Sequence, residues 1–260
     1  MQLIIPLTGI GSRFINAGYE QPKPLIQVLG KPMIQHVCSM FEYDQVIFII
    51  NPEHHKYDIV KVLKSIDQNS IIIEEKEHKK LGPVYHTLLA EKFITEGEVI
   101  VSYCDYYMQF DWNKFISFDK KDSCVLSYKG YHPHLLHNDL YGSLTEENNI
   151  ITNYKEKYCF TESNQQCYQS AGAYYFKSGH DLIKYSKIAM EKEPINGEWY
   201  TSQVVMALMQ EKEATVFEVD KFCQWGTPRD LEEFNKWIEV ILQPKTFAYW
   251  SEFYDRYTQN

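Results

Sequence analysis

Between Gln2 and Leu7 the chain is apolar at successive positions, Leu3-Ile4-Ile5-Pro6, the pattern of a strand covered on both faces. The same unbroken pattern returns over 45–50, 70–73 and 99–103, much of it β-branched, and predicts three more buried strands. Between these runs the period changes. Over 32–41 the apolar positions Met33, Ile34, Val37 and Met40 follow a helical repeat with Pro32 at its start. Segments 53–63 and 83–93 also read as helices. Strand and helix therefore alternate through the first half, which predicts a parallel sheet with helices on both faces. Ligands of such sheets lie beyond the carboxyl ends of the strands. The turn-rich segment 8–18 and the Cys104-Asp105 pair are thus expected to meet in space.

The second half is less regular. Strands are predicted over 123–128, 141–144, 173–176 and 214–219, and helices over 181–190, 201–210 and 228–241, the last opened by Pro228. No repeat, low-complexity stretch or linker separates the halves, so one compact unit over 1–242 is expected. The tail 243–260, aromatic from Phe247 to Tyr257, is expected to pack on the body or on a second copy in a homo-oligomer.

With 260 residues, 44% hydrophobic and 15% aromatic, the chain is globular and long enough for a sizeable core. Its formal net charge of −9 argues against nucleic acid as a partner, which demands a basic face. Bound phosphate is still compatible, because a few cations dominate locally. No basic leader precedes the first strand, and no apolar run approaches the roughly 20 residues of a membrane span, so no membrane partner and a cytoplasmic location are expected. The six cysteines are scattered without a C-x-x-C pair, the usage of free thiols in a reducing compartment.

Candidate chemistry begins at Thr8-Gly9-Ile10-Gly11-Ser12-Arg13. Two glycines directly after a strand let backbone N–H groups approach phosphate oxygens. Ser12 adds a hydroxyl, Arg13 a planar cation, and Lys23, within Gln21-Pro22-Lys23-Pro24, a point charge returned by a long loop. The Gly-Lys-Ser/Thr of a Walker A loop is absent, and the third glycine of a dinucleotide fingerprint is replaced by Phe14.

This combination resembles the signature of the sugar-phosphate nucleotidylyltransferase family, Gly-x-Gly-Ser/Thr-Arg followed by Pro-Lys. Further stretches match the family's motifs in order: Gly82-Pro83-Val84, Asp105, Tyr141-Gly142, Glu156-Lys157, Ser170-Ala171-Gly172-Ala173-Tyr174, Gly197-Glu198-Trp199-Tyr200-Thr201 and Gly226-Thr227-Pro228. The resemblance covers residues 1 to about 237. It implies an α/β fold: a GT-A-like, Rossmann-like α/β/α sandwich with a mostly parallel central sheet and a smaller acceptor-binding lobe. The nucleotide-binding half would run to about residue 122 and the acceptor-binding half over about 123–242.

The implied reaction joins an NTP to a phosphorylated small molecule, a sugar 1-phosphate first among them, with release of pyrophosphate. By resemblance Thr8, Gly9, Gly11, Ser12, Gly82 and Pro83 bind the nucleotide, and Arg13 and Lys23 neutralise its phosphates as catalytic cations. Asp105 would hold Mg²⁺, a hard ion that takes carboxylate and phosphate oxygens. Tyr141, Gly142, Glu156, Lys157, Gly172 and Glu198 would line the acceptor site. Two positions depart from the pattern. Gln224 stands where many members carry a second metal-binding aspartate, which leaves three possibilities: Asp220 moves in, the phosphates supply the charge, or activity is lost. Glu77 stands where uridylyl and thymidylyl members often carry glutamine. A carboxylate only accepts hydrogen bonds, which favours CTP or GTP.

The Trp225-Gly226-Thr227-Pro228 form resembles a subgroup associated with bacterial surface-polysaccharide synthesis. Two alternatives stay open: a cytidylyltransferase for a choline-type or amino-acid-derived phosphate, and an inactive nucleotide-binding regulator motivated by Gln224. A GT-A glycosyltransferase fits poorly, since Asp105-Tyr106-Tyr107 lacks the Asp-x-Asp motif. His132, His134 and His137 read as a surface loop rather than a zinc site, which needs more ligands in defined geometry.

Overall fold

The computed structural model describes residues 1–77, 79–136 and 141–242. The predicted aromatic tail and His137 lie outside them. In chain order the elements are β1 (Gln2–Leu7), α1 (Ser12–Asn16), β2 (Gln27–Val28), β3 (Lys31–Pro32), α2 (Met33–Cys38), β4 (Gln45–Ile50) and α3 (Ile59–Ile66). Then come β5 (Ile71–Glu74), α4 (Pro83–Leu88), β6 (Val99–Ser102), β7 (Tyr106–Gln109), α5 (Trp112–Ser117) and β8 (Ser123–Tyr128). The rest is β9 (Gly142–Glu147), β10 (Ile150–Glu156), β11 (Tyr168–Phe176), α6 (Gly179–Met190), α7 (Thr201–Leu208), β12 (Ala214–Glu218), β13 (Lys221–Gln224) and α8 (Pro228–Leu242).

One sheet of nine strands runs through the described residues in the order β5-β4-β1-β6-β11-β8-β12-β10-β9. Strands β6, β8 and most of β1, β4 and β11 are buried on both faces, while the edge strands β5 and β9 and the neighbouring β10 are partly exposed. Along β1, Leu3, Ile5 and Leu7 enter one core with residues of α2, α3 and α5, while Ile4 enters a second core with residues of α4, α6 and α7. Helices therefore cover both faces, and the α/β/α sandwich is observed. The mostly parallel sheet is observed: seven of its nine strands run one way, and β11 and β10 run against them. β5, β4, β1 and β6 are mutually parallel, as the strand–helix alternation predicts. β11 then runs antiparallel to both β6 and β8, and β10 is antiparallel to β12 and β9. The second half supplies few helical crossovers between neighbouring strands, and short connections permit antiparallel pairing.

The sequence pattern also missed a two-stranded antiparallel ribbon, β7 with β13, which pairs Tyr106 with Gln224 and Gln109 with Lys221. A third core fastens this ribbon to the N-terminal loop. Phe14, Ile26, Val28, Met33, Trp225 and Leu231 form it, joining α1, β2, α2 and α8. Trp225 is its centre, stacked on Tyr107 at 6.2 Å and set edge-on to His36 and Phe234, each at 5.4 Å.

The predicted helix over 53–63 divides into a 3-10 segment, Pro52–Tyr57, and α3. The break falls at Asp58, whose backbone is left-handed with φ 54°.

Removing the 1%-exposed Trp225 ring would leave a cavity between ribbon and loop. Trp225→Ala is expected to cost about 3–5 kcal/mol, the usual range for large-to-small aromatic truncation. Urea unfolding checks this as a lower midpoint at unchanged slope.

Candidate active site

β1 ends in the loop that opens α1. Gly11 has φ +66°, a left-handed conformation that favours glycine, and a Cβ there would stand 3.2 Å from the Lys23 Cβ. The loop and the Lys23 segment can approach so closely only because position 11 lacks a side chain. Phe14 anchors α1 in the third core and leaves Ser12 and Arg13 exposed at its start. Lys23 follows Pro22 into a 3-10 turn, and its Nζ donates to Asp105 Oδ2 at 2.5 Å and to the Gly226 carbonyl at 3.0 Å. Residues from three distant segments thus meet at one ammonium group.

Asp105 sits between β6 and β7, and its carbonyl accepts from Trp225 N–H at 3.0 Å. The ribbon register sets Gln224 beside it. The Gln224 amide Nε2 donates to the Tyr141 hydroxyl at 3.0 Å. Asp220 does not move in. It is exposed at the far end of the ribbon, where its N–H donates to the Gln109 carbonyl. Among the described residues no group of three or more His, Cys, Asp or Glu side chains gathers to hold a metal. One carboxylate beside an open cleft nevertheless suits Mg²⁺, which keeps several waters and binds through one or two carboxylates plus substrate phosphates. The donor set fits an ion that arrives with a triphosphate, not a preformed cage.

Glu156 ends β10, opposite Gly142 of β9. A Cβ at Gly142 would lie 2.9 Å from Glu156 Oε2, so the glycine makes room for the carboxylate. That oxygen accepts from Ser202 Oγ of α7 at 2.5 Å. Burial pushes the Glu156 carboxyl above its ordinary value, opposed by the Ser202 hydrogen bond and the Lys157 charge. Lys157 donates its backbone N–H to the Tyr141 carbonyl at 2.9 Å and its Nζ to the Tyr200 hydroxyl at 3.0 Å. Gly172, at φ +89°, lies in an irregularity of β11, and a Cβ there would press on the Tyr106 ring at 3.1 Å and the Tyr103 ring at 3.2 Å. Gly82 is tighter still, with Trp199 backbone atoms 2.7 Å from where its Cβ would be. This contact fixes the 81–84 segment against Glu198-Trp199 through the Trp199 N–H to Leu81 and Val84 N–H to Trp199 hydrogen bonds.

The result is two adjoining cavities. Thr8, Gly9, Gly11, Ser12, Gly82 and Pro83 line one of about 530 Å³. Asp105, Tyr141, Gly142, Glu156, Lys157 and Gly172 line the other, of about 560 Å³. Arg13, Lys23 and Glu198 line both, as does Gly226. Glu77 lines neither, and its side chain is exposed. The buried carboxylate of its segment is Glu75, which accepts from Lys79 N–H at 2.9 Å and pairs with His86 at 3.2 Å.

Sequence reasoning did not single out Ser202 or the aromatic wall of Tyr103, Tyr106, Tyr200 and Phe222. Tyr200 carried a usable signal, since it follows Glu198 within one motif. The surface-loop expectation for the histidines is corrected too. His134 Nε2 bonds the Tyr128 hydroxyl at 2.8 Å, and burial lowers its pKa to about 3. His132 packs on Tyr128 at 4.6 Å.

Two cavities thus adjoin at Arg13, Lys23, Glu198 and Gly226. The family model "Nucleotidyl transferase" matches residues 3–240, and the chain belongs to that family. The Bifunctional protein GlmU of Aquifex aeolicus is 24% identical over 268 residues, which cover 97% of this chain and 55% of that protein. Its counterpart in Methanocaldococcus jannaschii is 26% identical over 92% of this chain and 54% of its own length. The chain spans about half the length of these curated relatives or less. The nucleoside-diphosphate-sugar pyrophosphorylase of Vibrio cholerae RC9 shares the fold at TM-score 0.70 and 19% identity, covering 89% of this chain and 98% of that one. The inositol-1-phosphate CTP transferase of T. maritima does so at TM-score 0.68 and 16% identity, covering 88% and 90%. Among the described residues no helix is long and apolar enough to cross a membrane.

A carboxyl raised by burial favours the folded state at low pH and loses that contribution as pH rises through its folded pKa. Glu156→Gln removes the ionisation. The variant is expected to unfold at higher urea than the parent at pH 7, with the gap closing as pH falls toward the ordinary value of 4.5. A constant gap across that window would show that Glu156 is not the titrating group.

Proposed function

We propose that the chain is a nucleotidylyltransferase that moves a nucleotidyl group from an NTP to a phosphorylated small molecule, a sugar 1-phosphate first, and releases pyrophosphate. The observation that carries this reading is the junction of the two cavities at Arg13 and Lys23. A phosphate oxygen of the acceptor attacks the α-phosphorus of the nucleotide, the α–β bridging P–O bond breaks, and pyrophosphate leaves with the bond pair. Such a reaction needs positioning and charge neutralisation more than covalent help. Gly9, Gly11 and Ser12 cradle the triphosphate, and Arg13 neutralises the leaving pyrophosphate. Lys23 stands between the α-phosphate and the acceptor phosphate. Lys157 draws the acceptor phosphate inward, while Glu156 and Glu198 accept from its hydroxyl groups. Mg²⁺ held by Asp105 and the phosphates would add charge neutralisation when bound.

For the base, Glu77 lines neither cavity, so its acceptor-only carboxylate supports no choice of CTP or GTP, and the NTP panel decides the base. The Trp225-Gly226-Thr227-Pro228 form supports a product destined for surface glycan. A second reading has an observation of its own. Tyr103, Tyr106, Tyr200 and Phe222 wall the acceptor cavity together with Glu156, Glu198 and Glu233, which suits a cationic acceptor such as phosphocholine.

The test is pyrophosphate release for each common NTP against a panel of sugar 1-phosphates and phosphocholine, with Mg²⁺. One productive pair is expected. With that pair, Lys23→Ala is expected to cut turnover by about 10²–10³-fold, the usual loss of a preorganised charge-stabilising group, at unchanged circular dichroism. Asp105→Asn should lower rate and Mg²⁺ response together. Glu77 is exposed outside both cavities, so Glu77→Gln should leave the NTP profile unchanged, and a shift toward UTP or dTTP would restore Glu77 as the base reader. Nucleotide binding without release for any acceptor would favour a regulator over an enzyme.

A further inference from the structure

The connection from β10 to β11 carries two thiols whose sulfurs stand 3.9 Å apart, Cys159 and Cys167. Their settings differ. Cys167 directly precedes β11, is 5% exposed, and accepts a hydrogen bond from Gln169 Nε2 at 3.1 Å. It is fixed by the sheet. Cys159 is partly exposed and donates to the Thr161 carbonyl at 3.0 Å within the loop. Elsewhere burial pushes the thiols of Cys38, Cys104 and Cys124 up to about 12, so they persist as unreactive thiols.

The loop holding the pair starts at the acceptor cavity. Cys159 follows Lys157 by two residues, and Lys157 has a left-handed backbone, φ 52°, held by its N–H bond to the Tyr141 carbonyl. Between them the Tyr158 carbonyl accepts from Ser143 Oγ.

We propose that Cys159 and Cys167 form a redox modification site, oxidised by a peroxide to a reversible disulfide that closes the loop behind Lys157 and reshapes the acceptor cavity. The effect on the cavity rests on the acceptor reading given above; the dithiol chemistry does not. The Cys159 thiolate attacks the peroxide, breaking its O–O bond, and becomes a sulfenic acid as the first water leaves. Cys167 then attacks that sulfur, the S–S bond forms and the second water leaves. The two thiols together lose two electrons and two protons, and the peroxide takes both. A small thiol reverses the step by exchange.

A disulfide needs sulfurs about 2.05 Å apart, so the pair closes by roughly 1.9 Å from its present spacing. With Cys167 fixed, the movement falls on Cys159 and on the backbone leading from Lys157. The nucleotide cavity is built from the β1–α1 loop and 82–83 and takes no part in the closure.

The full chain is treated with hydrogen peroxide, and its intact mass and tryptic peptides are read before and after dithiothreitol. The expected result is a loss of about 2 Da, restored by the reductant and confined to the tryptic peptide 158–177, which carries both thiols and whose fragmentation shows an internal Cys159–Cys167 link. Cys159→Ser abolishes the link and keeps basal turnover, and Cys167→Ala checks the other partner. On oxidation, amides of 158–166 should exchange with deuterium about tenfold more slowly, because a cross-link restricts local opening, while those of 8–13 do not change. The KM for the acceptor should rise severalfold at unchanged nucleotide KM. The proposal is overturned if Cys159 goes to sulfinic acid without a link, or if the link forms and neither exchange nor acceptor KM moves. Where no acceptor turns over even with reduced protein, the functional reading has failed. Mass and exchange still decide the dithiol.

Discussion

The structure turns on one charged contact: the Lys23 ammonium between the Asp105 carboxylate, at 2.5 Å, and the Gly226 carbonyl, at 3.0 Å. Both charged side chains are largely withdrawn from water, at 19% and 25% exposure. Partial burial of an ion pair is tolerated only when its polar atoms find partners. Meeting that demand draws together the loop after β1, the end of β6 and the turn after β13. Gly11, left-handed at φ +66°, brings the loop close to Lys23, and a Cβ at Gly226 would stand 2.7 Å from Gln224 Nε2 and displace that amide. The third core, with Trp225 at its centre, holds these segments in register.

Around that contact the sheet divides its work by strand direction. The parallel half sends the carboxyl ends of β1 and β6 toward the junction, and with them the glycine loop of 8–13 and Asp105. The antiparallel half supplies the other wall, with Tyr141 and Gly142 at the start of β9, Glu156 and Lys157 at the end of β10, and Gly172 within β11. Because β11 is antiparallel to β6, its irregular segment at Gly172 packs on Tyr103 and Tyr106, which flank Asp105. The two walls of the cleft are thus joined through the β11–β6 pairing.

Much of this was legible in the sequence. The strands β1, β4 and β8 fall at their predicted bounds, because long apolar runs admit few other structures. The residues singled out by motif gather in the two cavities, Glu77 excepted, since a motif records which groups must meet. What was not legible is non-local. β7 and β13 are four residues each and about a hundred apart, too short for a period, and each is a strand only because the other pairs with it. Without that pairing it stayed open whether Asp220 moves in beside Asp105; the register puts it at the opposite end of the ribbon from Gln224. The histidines failed for a related reason. His132 and His134 are half-buried against Phe222 of β13, which local polarity could not show.

The place of Gln224 follows from the charge balance of the junction. At the junction Lys23 is engaged by one carboxylate, that of Asp105. A carboxylate at position 224 would add a second negative charge beside Asp105, and burial makes like charges costly. It would also be unable to donate to the Tyr141 hydroxyl, as the amide does at 3.0 Å. With its acceptor capacity partly filled by that amide, the hydroxyl keeps its own proton to donate. The neutral residue therefore links the end of the ribbon to Tyr141 while leaving one carboxylate for one ammonium. Whatever negative charge enters the cleft meets Arg13, Lys23 and Lys157 with Asp105 as the only carboxylate already bonded to the junction lysine among the described residues.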